Sequence, residues 1–247
     1  MGRFASTVDF YAYREPYPCV FFEEVARRLK LTKQTRLLDV GCGPGNLVIG
    51  LASFVGSCSA IDIEPDMLDA ARENAARAGV AVTFLQMSID DMHGPPSAFD
   101  LITIGRALHW LPRKETLTVF NRILAEQGHI AICGASGSEI ANAWMADYRD
   151  VRKAWSCDPD ESRYKIDFEK WFEGSRFRKV EEIAVPYAHQ VTVSDLVKRA
   201  LSFSTTSTEV IGDRRSQFEA EIEAALAPFA RGGRLEEQLT IKATVIA

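Results

Sequence analysis

The sequence lacks the patterns that mark several classes of protein. Its 247 residues contain no internal repeat, no heptad period and no collagen-like period, which excludes solenoids, coiled coils and collagen-like folds. No run of Lys and Arg is longer than two, and 29 basic against 34 acidic residues give a net charge of −5. Because nucleic-acid-binding surfaces are strongly basic, we expect no nucleic-acid partner.

Segments able to enter or cross a membrane are also missing. The uncharged residues 47–61 include three Ser and two Gly, and they are fewer than the roughly 20 mostly apolar residues that a transmembrane helix needs. The charges of Arg3, Asp9 and Arg14 interrupt the N-terminus, which therefore lacks the apolar core of a signal peptide. We expect neither a membrane partner nor export.

Cysteine and histidine are few and scattered. The five cysteines, at positions 19, 42, 58, 133 and 157, form no C-x-x-C pair, and the four histidines are not spaced as metal ligands. An odd number of scattered cysteines is typical of reduced thiols. These patterns predict a cytoplasmic protein without a metal site.

The composition is that of an ordinary globular protein, with 47% apolar and 26% charged residues. Domains average about 150 residues, so the length suits one large domain with elaborations. No Gly/Ser-rich or Pro-rich linker interrupts the chain. We therefore predict a single domain over residues 1–247.

From residue 36 onward, short apolar strands alternate with amphipathic helices. Strands are predicted at residues 36–40, 57–62, 80–85, 99–104 and 130–133, and helices at residues 46–54, 65–78 and 113–125. Pro65 opens the second helix, and Gly79 stands where its C-terminal cap is expected. This alternation predicts a parallel sheet with helices on both faces.

The remaining sequence divides into segments of different character. Residues 1–35 are predicted to form an N-terminal cap, residues 36–134 the core, and residues 135–176 a helical lid insertion. Residues 177–247 are predicted to add strands at 178–185 and 239–246, with inserted helices at 193–202 and 213–227. The predicted lid is rich in large aromatic residues, namely Trp144, Tyr148, Trp155, Tyr164, Trp171 and Phe172.

A glycine-rich loop follows the first predicted strand. Gly41-x-Gly43-x-Gly45 lies between a strand and a helix, where glycines allow the backbone to approach a ligand closely. Asp62 ends the next strand, 21 residues after Gly41. An acidic residue at that distance accepts the hydroxyl groups of a ribose in nucleoside-binding βαβ units. The alternative is a tight turn without a ligand.

Two residues around the loop argue against a dinucleotide. The dinucleotide fingerprint requires Gly at position 46, where this chain has Asn46. Asp39 stands two residues before the first glycine, and its charge would repel a pyrophosphate. A carboxylate there suits a cationic or amino-bearing ligand.

Four segments together resemble the motifs of class I S-adenosylmethionine-dependent methyltransferases. Residues 38–45 (LDVGCGPG) resemble the first motif, residues 60–68 (AIDIEPDML) the second, residues 99–103 (FDLIT) the fourth strand, and residues 128–130 (GHI) the start of the fifth. The flanks are similar to a small-molecule branch related to trans-aconitate methyltransferases. These flanking segments are residues 11–18 (YAYREPYP) and residues 107–110 (ALHW).

The resemblance implies a fold and a cofactor. The fold is a Rossmann-like, doubly wound sheet of seven strands, mostly parallel with an antiparallel last strand, plus helical lid insertions. The cofactor is S-adenosylmethionine, with S-adenosylhomocysteine as product. The residues that the resemblance assigns to cofactor binding are Tyr11, Arg14, Gly41, Cys42, Gly43, Asp62, Ile63, Met67, Ser88, Ile89 and Gly105.

Several of these assignments are specific. Gly41 and Gly43 are expected to line the methionine part of the cofactor, and Asp62 to bind the ribose. Met67 is expected either beside the adenine or in the core. Ser88 stands where many relatives carry Asp, so a hydroxyl replaces the carboxylate there.

Candidate residues for chemistry follow the fourth strand. His109 is expected to act as a general base, because histidine ordinarily titrates near pH 6.5; the alternative is a pocket wall formed with Trp110. Arg106 is expected to hold a substrate carboxylate, and a solvated or structural Arg is the alternative. Trp144 is expected to line the acceptor pocket, with packing in the core as the alternative.

These features predict a methyltransferase that acts on a small-molecule acceptor. His109 and Arg106 favour O-methylation of a carboxylate or a hydroxyl group. The sequence leaves the acceptor and the oligomeric state unspecified. The alternatives are an enzyme that uses bound S-adenosylmethionine for another reaction, such as cyclisation, or a catalytically silent binding or scaffold relative. A NAD-dependent oxidoreductase is disfavoured by Asn46 and Asp39.

Overall fold

The computed structural model describes residues 7–158, 160 and 166–247. Residues 1–6 of the predicted N-terminal cap, and Tyr164 of the predicted lid, lie outside the described residues. In this part of the chain no helix is both long enough and apolar enough to span a bilayer.

The described residues form seven strands in one sheet of order β3-β2-β1-β4-β5-β7-β6. The first five strands pair in parallel, and β7 runs antiparallel to β6. The predicted fold class is therefore confirmed. The strands are β1 (Arg36–Val40), β2 (Ser57–Asp62), β3 (Thr83–Gln86), β4 (Phe99–Gly105), β5 (Leu124–Gly137), β6 (Lys179–Thr192) and β7 (Arg234–Ile246).

The described residues also form ten α-helices and three short 3₁₀ turns. The helices are α1 (Val8–Tyr11), α2 (Cys19–Arg28), α3 (Asn46–Leu51), α4 (Pro65–Ala78), α5 (Arg113–Ile123), α6 (Met145–Trp155), α7 (Phe168–Phe172), α8 (Val193–Leu201), α9 (Thr208–Ile211) and α10 (Arg215–Leu226). The 3₁₀ turns are Ala52–Phe54, Leu108–Trp110 and Gly212–Arg214.

Helix α4 follows its sequence signals closely. Pro65 occupies the first turn, and Gly79 ends the helix with φ +68°, in the left-handed region that favours glycine. The buried face consists of the residues that the 3.6-residue period predicts, which are Met67, Leu68, Ala71 and Ala75.

The chain divides into two compact units. Unit one comprises Met1–Pro16, Ala135–Ser162 and Pro186–Thr240, and unit two comprises Tyr17–Gly134, Arg163–Val185 and Ile241–Ala247. The predicted boundary between core and lid after residue 134 coincides with a unit boundary. The predicted N-terminal cap is instead shared between the units. A single domain over the whole chain stays a prediction.

Unit two contains the parallel strands and their apolar core. β1 and β4 are buried along most of their length, with Leu38 and Ile102 fully covered. Late segments of the chain complete this core, because Phe172, Phe177 and Ile246 pack against the same cluster. Each of these side chains is at most 3% exposed.

Unit one has its own apolar cluster, to which α6, α8 and α10 contribute. Its fully buried members include Leu196, Phe218 and Ile222.

A buried ion pair lies in the same unit. Arg199 donates through Nη2 to Glu237 Oε2 at 2.9 Å, and Glu237 is fully buried. Removing one partner of such a pair is expected to be strongly destabilising, because it leaves an uncompensated charge.

Several predicted strand boundaries were wrong. β3 begins at Thr83 rather than at residue 80, because the Val80 N–H still donates to the Ala75 carbonyl oxygen as part of the α4 cap. β5 extends from Leu124 to Gly137, so residues 135–137 are strand and not part of a helical lid. β6 and β7 are also longer than predicted.

Candidate functional site

The glycine loop of unit two has the backbone conformation that its sequence requires. Gly41, Gly43 and Gly45 have φ values of +63°, +51° and +85°, all in the left-handed region. A Cβ atom at Gly41 would lie 2.7 Å from the Cβ atom of Ala107, a separation too short for any side chain. The loop after β1 therefore depends on glycine for both its conformation and its close contact with the segment after β4.

Asp62 ties this loop to the end of β2. Its Oδ2 atom accepts a hydrogen bond from the Gly43 N–H at 2.8 Å, and its Oδ1 atom accepts one from the Glu64 N–H at 3.0 Å. Burial raises the pKa of Asp62, whereas these two hydrogen bonds lower it. A carboxylate offers about four acceptor sites, so Asp62 retains acceptor capacity for a ligand.

Asp39 lies beneath the loop and is satisfied by protein groups. It is 1% exposed, and it accepts hydrogen bonds from Thr103 Oγ1 at 2.7 Å and from the Val48 N–H at 3.3 Å. Burial raises the pKa of Asp39 to about 7. The side chain therefore joins β1 to β4 and to the first turn of α3, instead of presenting its charge on the surface.

Sequence reasoning missed a third support of the loop. Asn74 of α4 donates from Nδ2 to the Pro44 carbonyl oxygen at 3.0 Å, and Arg77 donates to Asn74 Oδ1 at 2.7 Å. The signal was present in the sequence, because Asn74 lies between Ala71 and Ala75 on an otherwise apolar helix face.

Four further residues predicted to bind the cofactor divide into exposed and buried ones. Ile63 is 59% exposed directly after Asp62, which is unusual for a large apolar side chain. Met67 and Ile89 are 3% and 2% exposed, so the structure favours core packing for both side chains. Ser88 is half-buried and donates its hydroxyl hydrogen to Asp90 Oδ1.

Cys42 is also largely covered. Its thiol is within 3.5 Å of the Gly43 carbonyl oxygen, and burial raises the pKa of the Cys42 thiol. The Cys42 N–H donates to the Ile61 carbonyl oxygen at 3.0 Å. The backbone of Cys42 thus links the loop to β2.

The segment after β4 has an unusual backbone. Arg106 has φ +58°, a value that residues other than glycine rarely adopt, and its N–H donates to the Cys133 carbonyl oxygen at 3.3 Å. Its guanidinium carbon lies 4.9 Å from the centroid of the Tyr17 ring. A Cβ atom at Gly105 would lie 2.9 Å from Leu47 Cδ1.

His109 and Trp110 come directly after this segment, in a 3₁₀ turn. Their ring centroids are 4.7 Å apart, at an interplanar angle of 48°. β1 and β4 are parallel neighbours, so their carboxyl ends lie at one edge of the sheet, as the Gly41–Ala107 approach shows. Unit two thus brings together the glycine loop, Asp62 and the segment from Gly105 to Trp110.

Three predicted site residues belong to unit one. Trp144 is 4% exposed, and its indole N–H donates to the Glu236 carbonyl oxygen at 3.1 Å, which favours core packing over acceptor binding. Arg14 donates to the Ser202 carbonyl oxygen at 3.0 Å, and its guanidinium carbon is 5.5 Å from the Tyr11 ring centroid. Cofactor binding by Tyr11 and Arg14 stays a prediction.

Curated proteins match part of the chain. Residues 37–128 match a family described as a methyltransferase domain. An uncharacterised methyltransferase of Schizosaccharomyces pombe is 33% identical over 47% of this chain and 46% of its own. A ubiquinone biosynthesis O-methyltransferase of Xanthomonas euvesicatoria is 35% identical over 38% of this chain and 39% of its own length. A trans-aconitate 2-methyltransferase of Rhodococcus jostii is 33% identical over 39% of this chain and 36% of its own length. The matches span less than half the length of these relatives.

Solved structures match over most of the chain. The YcgJ protein from Bacillus subtilis superposes with a TM-score of 0.56 at 17% identity, covering 91% of this chain and 96% of that one. The [4+2]-cyclase SpnF superposes with a TM-score of 0.54 at 14% identity, covering 94% of this chain and 84% of the cyclase. At such identities these likenesses show the fold alone. Together with the sheet order, these comparisons show that residues 37–128 are similar to a methyltransferase domain and that the chain has the Rossmann-like fold of its solved neighbours.

Proposed function

We propose that this protein transfers the methyl group of S-adenosylmethionine to an oxygen atom of a small molecule, either a carboxylate or a hydroxyl group. The observation that carries the proposal is the 2.8 Å hydrogen bond from the Gly43 N–H to Asp62. This bond joins the glycine loop to an acidic residue with acceptor capacity to spare, at the ends of two adjacent parallel strands.

The groups around this bond fit the proposed cofactor. Gly41 and Gly43 present backbone without side chains to the methionine part, and Asp62 can accept from ribose hydroxyls. Ile63 offers an exposed apolar surface to the adenine, and Ser88 offers a hydroxyl beside it. When bound, the cofactor supplies an electrophilic methyl group, and the protein's task is to align an acceptor and exclude water.

Two residues after β4 are proposed to act on the acceptor. His109 removes the proton from an acceptor hydroxyl, or orients an acceptor that is already ionised. Arg106, held in its left-handed conformation, pairs with an acceptor carboxylate. Trp110, whose ring is tilted against that of His109, supplies an apolar wall beside them. A ubiquinone biosynthesis O-methyltransferase among the relatives supports this choice of acceptor atom.

The proposal includes a location and a class of partner. We propose a cytoplasmic enzyme whose partners are small molecules rather than nucleic acids or membranes. The acidic balance of the chain supports this proposal, since an excess of negative charge disfavours contact with phosphate backbones and anionic lipids.

A methyl-transfer assay tests the proposal. The protein is incubated with S-adenosylmethionine labelled in its methyl group and with panels of small carboxylic acids and small alcohols or phenols. We expect label to enter the small-molecule fraction with the wild-type protein and not with Asp62→Ala. Methyl esters release labelled methanol in base and methyl ethers do not, so this step distinguishes the two oxygen acceptors.

Other outcomes contradict the proposal. Tight binding of S-adenosylhomocysteine without label transfer across both panels indicates a cyclase-like or silent relative. Label that appears in amine or carbon acceptors instead contradicts O-methylation while leaving methyl transfer intact.

A further inference from the structure

An aromatic side chain from the segment before α2 lies against the segment after β4. Tyr17 belongs to the same compact unit as Gly105 and Arg106. Its hydroxyl oxygen lies 3.5 Å from the position that a Cβ atom would take at Gly105, and its ring centroid lies 4.9 Å from the guanidinium carbon of Arg106. Tyr17 therefore adjoins two consecutive residues of the segment that approaches the glycine loop.

Tyr17 is itself fixed by packing on α2. Its ring centroid lies 5.5 Å from that of Phe21 and 6.3 Å from that of Phe22. Both phenylalanines are buried, and the Phe22 ring packs so closely on α3 that Gly50 leaves no room for a Cβ atom beside it. Because α3 begins directly after the glycine loop, the Tyr17 ring rests on elements that also hold the loop.

The backbone of Arg106 fixes the base of its side chain but not the charged end. The φ of +58° is rare for residues other than glycine, and such conformations persist where the surroundings over-determine them, often at ligand sites. The side chain that follows is long and loses considerable rotamer freedom when its guanidinium is held in one place. A second contact is needed to hold that end.

The Tyr17 ring supplies this contact. A guanidinium within about 6 Å of an aromatic centroid is attracted by the negative face of the ring. This attraction needs no acceptor atom, so it can hold the group while a carboxylate accepts from its N–H donors. Phe21 and Phe22 keep the ring in place, which makes it a fixed support for the cation.

We propose that Tyr17 is a positioning residue, whose ring holds the Arg106 guanidinium for pairing with a carboxylate of the acceptor. The inference rests on the proposed function, in which Arg106 binds that carboxylate. Because Tyr17 acts through Arg106, loss of the ring weakens the binding of acceptors that carry a carboxylate and leaves the methyl-transfer step nearly unchanged.

The contact is tested first without cofactor or acceptor. In the full chain with nitrogen-15-labelled arginine, the Nε–H signal of Arg106 is identified by its absence from the spectrum of Arg106→Met. We expect the ring current of Tyr17 to shift this proton signal. The shift should disappear in Tyr17→Leu and persist in Tyr17→Phe, which keeps the ring. If Tyr17→Leu fails to fold, Tyr17→Met serves instead.

A matched variant controls for the loss of a ring elsewhere. Tyr187 is also half-buried, and its ring stacks on His189 in unit one, at 5.2 Å between centroids. We expect Tyr187→Leu to leave the Arg106 signal where it is in the wild type. An Arg106 signal at the same position in the wild type and in Tyr17→Leu overturns the inference, whichever acceptor the protein methylates.

Kinetics then test whether the contact serves the acceptor. Label transfer from S-adenosylmethionine is measured with the panel of small carboxylic acids. For an acid that accepts label, we expect Tyr17→Leu to raise KM about three- to tenfold with kcat within about twofold of the wild type. Tyr17→Phe and Tyr187→Leu should keep the wild-type KM. In an Arg106→Met background, Tyr17→Leu should raise KM no further.

The possible failures are distinguishable. An unchanged KM in Tyr17→Leu overturns the inference and leaves the proposed function intact. An equal rise of KM with and without Arg106 also overturns it, because Tyr17 then acts independently of the guanidinium. If the wild type transfers label to none of the carboxylic acids, the proposed role of Arg106 is wrong, and the inference fails with it even where the ring-current shift is present.

Discussion

Asp62 fixes the glycine loop and leaves acceptor sites for a ligand. If Asp62 binds the ribose as proposed, Asp62→Ala removes a charge-assisted pair with the ribose hydroxyls, a loss of about 2–3 kcal/mol. We therefore expect the affinity for S-adenosylhomocysteine to fall about 30- to 150-fold, as measured by calorimetric titration.

Asp100 is the matched control for this variant. It also accepts from a backbone N–H, that of Arg36 at 2.8 Å, but it lies near the opposite end of β4. Asp100→Ala thus removes a similar carboxylate without touching the candidate site, and we expect its cofactor affinity to match the wild type. An equal loss of affinity in both variants would refute ribose binding by Asp62.

Asp39 makes stability depend on pH in an unusual direction. Burial raises its pKa from 3.8 to about 7, so between about pH 4 and 7 the folded protein keeps a proton that the unfolded chain has released. The resulting stabilisation is complete below about pH 4 and is lost as the pH rises toward 7, by about 1.4 kcal/mol per unit.

Asp39→Asn removes this titration, although it also costs a hydrogen bond at every pH. We expect the unfolding free energy of the wild type minus that of the variant to fall from about pH 4 to 7, and then to level off. Urea unfolding at several pH values measures this difference. A difference that stays constant over the whole range would contradict a raised pKa.

His109 is expected to affect turnover more than binding. If it is the general base for a hydroxyl acceptor, His109→Ala lowers kcat by about 10²–10⁴ at nearly unchanged cofactor affinity. His109→Asn should be nearly as slow, because an amide has no useful basicity. Profiles of kcat against pH at saturating cofactor measure this effect.

His93→Asn is the control, since His93 is exposed in the loop after β3. If the acceptor is a carboxylate, no base is needed, and the wild-type rate shows no ionisation near pH 6–7. Similar rates and matching profiles for wild type and His109→Asn would exclude a general base.

The glycine loop can be tested as an element by comparing two left-handed glycines of unit two. Gly79 has φ +68° with no atom near its missing side chain, whereas Gly41 has φ +63° and faces Ala107 at 2.7 Å. Gly79→Ala is expected to cost about 1 kcal/mol of stability, and S-adenosylhomocysteine affinity should be unchanged. Gly41→Ala is expected to destabilise more and to weaken that affinity about tenfold or more.

Thermal unfolding and calorimetric titration of the two variants measure the difference. The contrast isolates the close contact, because backbone strain is common to both positions. If Gly41→Ala keeps full affinity, the loop does not approach the cofactor as proposed.

The bounds of strands with strong local sequence signals were predictable. The bounds of strands whose length depends on pairing with neighbouring strands were not. The bounds of β1 and β2 agree with the structure, since short apolar runs end at glycine or at an acidic residue. The ends of β5 carry Gly, Ser and polar residues, so its full length depends on pairing with its neighbours rather than on its own composition.

The same distinction applies to the candidate site. Gly41 and Asp62 were predictable, because their spacing is written in the sequence. The left-handed backbone of Arg106 has no local signal, since arginine gives no reason to expect a positive φ. Asn74 is recognisable as a polar residue on an otherwise apolar helix face, but its partner Pro44, 30 positions away, depends on the packing of α4 beside the loop.

Neither compact unit corresponds to one continuous stretch of sequence. Unit two takes its last core residues from beyond residue 162, and unit one takes residues from three separate segments. The family match covers only residues 37–128, whereas the YcgJ protein superposes over 91% of the chain. The motif-bearing part is similar in sequence, and the remainder is similar in fold.

The central claim is that the site formed by the glycine loop and Asp62 binds S-adenosylmethionine and not a dinucleotide. Calorimetric titration of the full chain with S-adenosylhomocysteine and, separately, with NADH tests it most directly. We predict saturable binding of one S-adenosylhomocysteine per chain and no binding of NADH at the same concentrations, since Asn46 replaces the third fingerprint glycine. Saturable binding of NADH together with no binding of S-adenosylhomocysteine would contradict the claim.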